Sequence, residues 1–157
     1  MSRGRLAAAV TVCVLVGTGG AAGVLQGRAD QPMQRAALEH RDPGLEQDGR
    51  RFVSSYVDDD GRVVRHDHGG DTVSEGQAYG MLVAVALRDR PTFDAVWRWT
   101  EVNLQRPDGL LSWRWEDGEV VGEEPAADAD LDAAWALALA ADLWPDGRYR
   151  EAGARIA

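Results

Sequence analysis

Between Glu75 and Arg88 the chain carries no charged residue, and past Tyr79 no polar one. Residues 72–87, TVSEGQAYGMLVAVAL, therefore have no face meant for water, and as a helix they must be buried all round. Ser74 followed by Gln77 reads as a capping box, which predicts a helix start at Ser74 and leaves Glu75 in the first turn. A second stretch repeats the design. Asp128-Ala129-Asp130 precedes LDAAWALALAADLW, whose only internal charge before Asp142 is Asp132. Asp128 is the natural N-cap there.

The segment before each apolar helix has a different pattern. Leu45, Phe52, Val53 and Tyr56 make one stripe over residues 45–57, and Phe93, Val96, Trp97, Thr100 and Leu104 make another, with Asp94, Arg98 and Glu101 facing outward. Pro91 suits the start of that second helix. The order is amphipathic, buried, amphipathic, buried. Two concentric helical layers require such an order, the buried helices lining the inside and the striped ones coating the outside. Each pair takes about 50 residues, so a closed toroid of six pairs needs roughly 300. The chain reads as an all-α, incomplete (α/α)6 toroid, and its end inside a helix beginning near Tyr149 fits a fragment. Residues 110–115 are expected as a short strand or extended loop, with turns at Pro107-Asp108-Gly109 and Asp117-Gly118. Successive units run in the same sense, which predicts that Glu75 and Asp128 meet at one rim.

Composition narrows the function. A net charge of −9 excludes a nucleic-acid partner, because a phosphate backbone demands a basic face. A neutral polymer or small solute suits an acidic surface better. Residues 1–26 read as a signal peptide or signal anchor: Arg3 and Arg5, an apolar run over residues 6–16, then small residues over 17–23. Export to the periplasm or the outside is expected, with no stable membrane insertion once the signal is cleaved. Cys13 is the only cysteine and lies in that segment, so the mature part has no thiol chemistry. Residues 27–44, with Pro32 and Pro43, read as a linker, and the domain is expected over 45–157.

Two carboxylates facing each other across a cleft, with aromatic residues nearby, fit hydrolysis of a glycosidic bond, in which one acid protonates the departing sugar oxygen. A helix N-terminus favours the ionised carboxylate, whereas a general acid must hold its proton. Glu75 can serve only where burial or a neighbouring carboxylate outweighs the dipole, and Asp128 is the nearest candidate. Tyr79, one turn after Glu75, can donate a hydrogen bond to it or to sugar, and Arg114 can do either. Trp113 and Trp115 share a face in an extended segment, where sugar rings can stack. Trp97, Trp99, Trp135 and Trp144 fall at helical positions and read as core. His66-Asp67-His68 lacks a third ligand at suitable spacing and is read as a polar loop, so no metal and no cofactor is expected.

Ser74-Glu75-Gly76-Gln77-Ala78-Tyr79-Gly80-Met81, then Phe93, Trp97, Trp99, Asn103, Gly109-Leu110 and Trp113, then Ala127-Asp128-Ala129-Asp130-Leu131 running to Trp144 resemble glycoside hydrolase family 8 in order, spacing and residue type. The resemblance implies an (α/α)6 toroid and an inverting endo-acting hydrolase of β-1,4-linked polysaccharide, typically cellulose, with no metal. It implies that Glu75 is the proton donor and that Asp128 is the first aspartate of the signature, for which binding and distorting the sugar is the role preferred here. Asp130 is the second aspartate, read either as a substrate ligand or as a first-turn helix acid. Trp113 matches a position that forms a sugar subsite. Ala127 and Ala133 depart from the signature, losing a hydroxyl and some core volume. The aspartate base of the family comes from a later part of the barrel than residue 157. Two other readings stay open: a non-catalytic glucan-binding or regulatory module, and another α/α-toroid enzyme such as a polysaccharide lyase.

Overall fold

The computed structural model describes residues 43–145 and 147–157. The expected signal segment, Cys13 and most of the expected linker lie outside the described residues. Five helices and a small sheet follow in the order α1 (Pro43–Tyr56), β1 (Thr72–Val73), α2 (Ser74–Leu87), α3 (Arg90–Asn103), β2 (Ser112–Glu116), β3 (Glu119–Pro125), α4 (Ala127–Leu143) and α5 (Tyr149–Ile156), with a 3-10 turn at His66–His68. Helices α2 and α4 pack on each other; α1 and α3 lie against α2, and α5 lies against α4. The two apolar helices are thus the inner pair, as their sequences require.

The core between them is small-residue on the inner helices and bulky on the outer ones. Ala78, Met81, Ala84, Ala133, Ala136, Leu137 and Ala140 are sealed, together with Phe93, Val96, Leu104 and Leu111. Phe93 meets Tyr149 edge-on, with ring centroids 5.2 Å apart, and Trp144 at 5.5 Å, which ties α3 to α5. Gly80 sets how close α3 can come. A Cβ there would lie 2.8 Å from a Val63 methyl and 3.4 Å from one of Val96.

Several expectations are corrected. The capping box does not form: Val73 occupies the cap position with no side-chain cap bond, and Ser74 is already helical. The cause is the sheet, because Val73 is extended and pairs with Arg114, so the helix starts where the strand stops. Gln77, freed from capping, is buried between layers. Its Oε1 accepts from the Val63 N–H at 2.6 Å, and its Nε2 donates to Thr100 Oγ1 at 2.8 Å and to the Val96 carbonyl at 3.3 Å. A buried amide needs such partners, and these bolt α2 to α3. Asp128 is likewise not the N-cap of α4, since Ala126 holds that place in extended geometry.

The other corrections concern coverage and strands. Helix α2 is not buried all round: among the described residues α1, α3, α4 and the sheet pack on it, and Glu75, Tyr79 and Ala86 are exposed. On α4, Trp135 is 58% exposed and Leu131 also stands open, so Trp135 is not a core residue. Helix α1 starts at Pro43, inside the expected linker, and buries none of its residues; Leu45 is 73% exposed. The layers also carry an antiparallel sheet in the order β1-β2-β3. Asp117 and Gly118 both take positive φ, 51° and 97°, as a two-residue type I′ hairpin turn requires. The Asp-Gly pair makes β3 a strand where a plain connection was expected.

Candidate active site

The first turns of α2 and α4 place their acids at one rim. Glu75 and Asp128 are both exposed there. Tyr79, one turn along α2, donates its hydroxyl to Glu75 Oε1 at 2.8 Å. The phenol is held above its ordinary titration range, first by that hydrogen bond, then by the charge of Glu75, and further by the charges of Asp132 and Asp128 on α4. The charges of Asp128 and Asp132 on α4 therefore reach the Tyr79 hydroxyl on α2. Asp128 Oδ1 accepts from the Ala129 N–H at 2.9 Å, which holds the carboxylate against its own helix start. Beyond the acids the open side continues as an apolar stripe through Leu131 and Trp135.

Asp130 is placed differently from its neighbour. It is buried and turned inward, where its Oδ1 accepts from the Leu111 N–H at 2.9 Å. Burial pushes its pKa upward, opposed by that backbone bond. Its contact is with the chain entering β2, not with the open rim. The hairpin that follows carries the aromatic residues. Trp113 is 38% exposed, and its indole lies directly on Gly122 of β3: a Cβ at Gly122 would sit 2.1 Å from the Trp113 Nε1. Register shifts on both sides of Arg114 put extra residues into β3, and such bulges re-aim side chains. Trp115 does not join Trp113 as an open ring. It is half-buried, edge-on to Trp99 at 5.3 Å, with the Arg62 guanidinium 4.7 Å from its centroid.

Arg114 is committed to other protein groups. Its Nε donates to Asp71 Oδ2 at 2.7 Å and its Nη2 to Glu116 Oε2 at 3.1 Å, while its guanidinium lies 5.8 Å from the Trp113 ring. Asp71 is fully buried, and it also accepts a two-pronged pair of bonds from Arg65 Nε and Nη2, at 2.7 and 2.5 Å. The two guanidiniums, Arg65 foremost, hold its carboxyl below the usual range. Neither Asp71 nor Gly122 stands out in the sequence. Each works through a partner some 6 to 43 positions away for Asp71, and no local pattern marks such a pairing. The His66-Asp67-His68 turn is engaged locally: the His66 ring lies 3.1 Å from the Ser55 carbonyl, and His68 Nδ1 lies 3.1 Å from Asp67.

Residues 40–157 match the family described as glycosyl hydrolases family 8. The chain is similar to an endoglucanase of Cellulomonas uda, with 36% identity over 110 residues that cover 68% of this chain and 31% of the relative. Among solved structures, an endoglucanase from Komagataeibacter sucrofermentans superposes with a TM-score of 0.68 at 36% identity, over 71% of this chain and 36% of the other. An endo-β-1,4-glucanase from Acetobacter xylinum does so with a TM-score of 0.67 at 35% identity, over the same shares. The chain spans about a third of the length of the relatives it matches.

Proposed function

The chain belongs to glycosyl hydrolases family 8, and from that premise we propose that it takes part in hydrolysis of internal β-1,4 bonds in a cellulose-like glucan. The observation that carries the reading is the shared rim, where the charges of Asp128 and Asp132 act on the Tyr79 hydroxyl that bonds Glu75. A hydrolase family leaves no place for the lyase reading, which needs no such acid. The relatives described as endoglucanases support a β-1,4-glucan as substrate.

In this reading Glu75 gives its proton to the departing sugar oxygen as the glycosidic bond breaks, and water attacks the other side of the ring. Tyr79 fixes the Glu75 carboxyl by its hydrogen bond. Asp128, exposed at the rim, holds hydroxyls of the sugar beside the scissile bond and favours its distortion. Trp113 offers a flat apolar face for a further sugar. The base that takes the proton from water is assigned to none of the described residues. The basic, apolar and small-residue pattern of residues 1–26 supports export, so that the site meets polysaccharide outside the cytoplasm.

Release of reducing ends from carboxymethylcellulose by the full-length protein tests the reading. Glu75→Gln is expected to abolish it with the fold unchanged, and substantial residual turnover removes Glu75 from the acid's role.

A further inference from the structure

Asp71 lies outside every role assigned so far, yet it joins the two halves of the site. Four residues after it comes Glu75, reached through the two residues of β1. Across the sheet, Val73 pairs with Arg114, next in sequence to Trp113. The Asp71 carboxylate is sealed from solvent and binds the Arg114 guanidinium, and Arg114 in turn lies against the Trp113 ring. The indole rests on Gly122 on one side, and Trp113 is partly exposed, as a stacking surface must be. A long side chain such as Arg114 has several rotamers open to it at a half-exposed site, and each bond it makes removes some of them. A bond to a buried carboxylate removes most, because the alternative leaves that charge without its partner.

We propose that Asp71 is a positioning residue: by anchoring Arg114 it fixes the Trp113 indole relative to the helix start that carries Glu75, so that a glucan stacked on Trp113 meets the acid in one register. The inference rests on the glucan reading above and deepens it. The Arg65 arm has a different task. It balances the Asp71 charge and closes the loop over residues 65–71, where Arg65 N–H also donates to the Asp71 carbonyl. The bonds of Arg65 go to Asp71 rather than to the hairpin, so its loss should leave Trp113 where it is.

Asp71→Asn alone strands two guanidiniums and can unfold the entry to α2. The double variant Asp71→Asn/Arg65→Met removes one cation with the anion, which keeps the charge balance and reduces the anchor of Arg114 to a neutral amide oxygen. Each of the six tryptophans gives one indole N–H cross-peak in a proton–nitrogen correlation spectrum, and Trp113→Ala identifies the peak of Trp113. The double variant is expected to shift or broaden that peak while Arg65→Met leaves it in place. Calorimetric binding of cellohexaose by the 157-residue chain should weaken about tenfold in the double variant, near the level of Trp113→Ala. A Trp113 peak unmoved in the double variant overturns the anchoring, as does one moved equally by Arg65→Met. Cellohexaose binding untouched by Trp113→Ala overturns the glucan reading instead, so the two failures are distinct.

Discussion

The two inner helices begin alike and are held differently. Each follows a strand, with an extended residue, Val73 or Ala126, where a capping side chain is expected. Each sets one exposed acid at the rim, Glu75 or Asp128, and each has one buried aspartate that grips the hairpin between them. At α2 that aspartate is Asp71, bound by two guanidiniums; at α4 it is Asp130, bound by the single N–H of Leu111. Burial penalises the charged form of both, but Asp71 is bonded to two guanidiniums that reverse the penalty, whereas the charge of Arg106 does not outweigh it at Asp130. Its pKa falls while that of Asp130 rises. Burial by itself therefore says nothing about which way a carboxyl shifts; the count of charged partners decides it.

The sharpest way to break the comparison is to remove the anion with two partners. Asp71→Asn should cost about 2–3 kcal/mol at neutral pH, since it replaces charged bonds to two partly buried guanidiniums with bonds to a neutral amide, and a urea midpoint at pH 7 reads the loss. Because its folded pKa is depressed, the Asp71 contribution is present above the ordinary value of 3.8 and lost as pH falls through the lower folded value. The gap between variant and unaltered chain should close only in strong acid.

Next in size is the surface on which the hairpin aromatic lies. Gly122→Ala places a Cβ 2.1 Å from the indole nitrogen, so either Trp113 swings away or the strands part. A loss of about 1–3 kcal/mol is expected, with Trp113 fluorescence shifted to the red as the ring gains solvent. An unchanged spectrum would mean that Trp113 does not rest on β3.

Asp130→Asn should be milder, within about 1.5 kcal/mol, because the amide oxygen can still accept from Leu111. Here the sign is opposite. A raised folded pKa gives stability that is fully present below 3.8 and is lost as pH rises through the folded value. The variant has no such loss, so its stability relative to the unaltered chain should improve from acid to neutral pH in denaturant titrations. A relative decline over that range would show that the charge of Arg106 outweighs burial at Asp130.

The smallest effect falls on the rim itself. Glu75→Gln should change stability by less than about 0.5 kcal/mol, as expected of an exposed side chain. It should lower the Tyr79 titration toward the ordinary phenol value of 10, because the hydrogen bond to a carboxylate and its charge are what raise it. Absorbance at alkaline pH follows this, and an unmoved phenol would separate Tyr79 from Glu75.

The alternation of striped and apolar helices was legible because helical periodicity needs only local residues. The apolar runs of 80–87 and 133–141 bury Met81, Ala84, Ala133, Ala136 and Ala140, so layering follows from composition along a helix. The place of Glu75 and Asp128 in first turns was legible for the same reason, since it follows from where each apolar run begins. The caps were misread because Ser74 and Asp128 have cap chemistry, while strand pairing by Val73 and the extended backbone of Ala126 put residues without a capping side chain at the cap positions. Trp135 was misread because its helical spacing matches that of a core residue, and coverage depends on which elements pack nearby.

The order of the elements, the inner and outer layers and the placing of Glu75 and Asp128 in first turns were determined by the sequence, because hydrophobic period and turn chemistry act over a few residues. Which aspartates are buried, which arginine steadies which tryptophan and whether Gly122 lies under an indole were decided only in three dimensions. Those choices depend on partners brought from distant positions, and the energy of a buried charge is set by what surrounds it rather than by its neighbours along the chain.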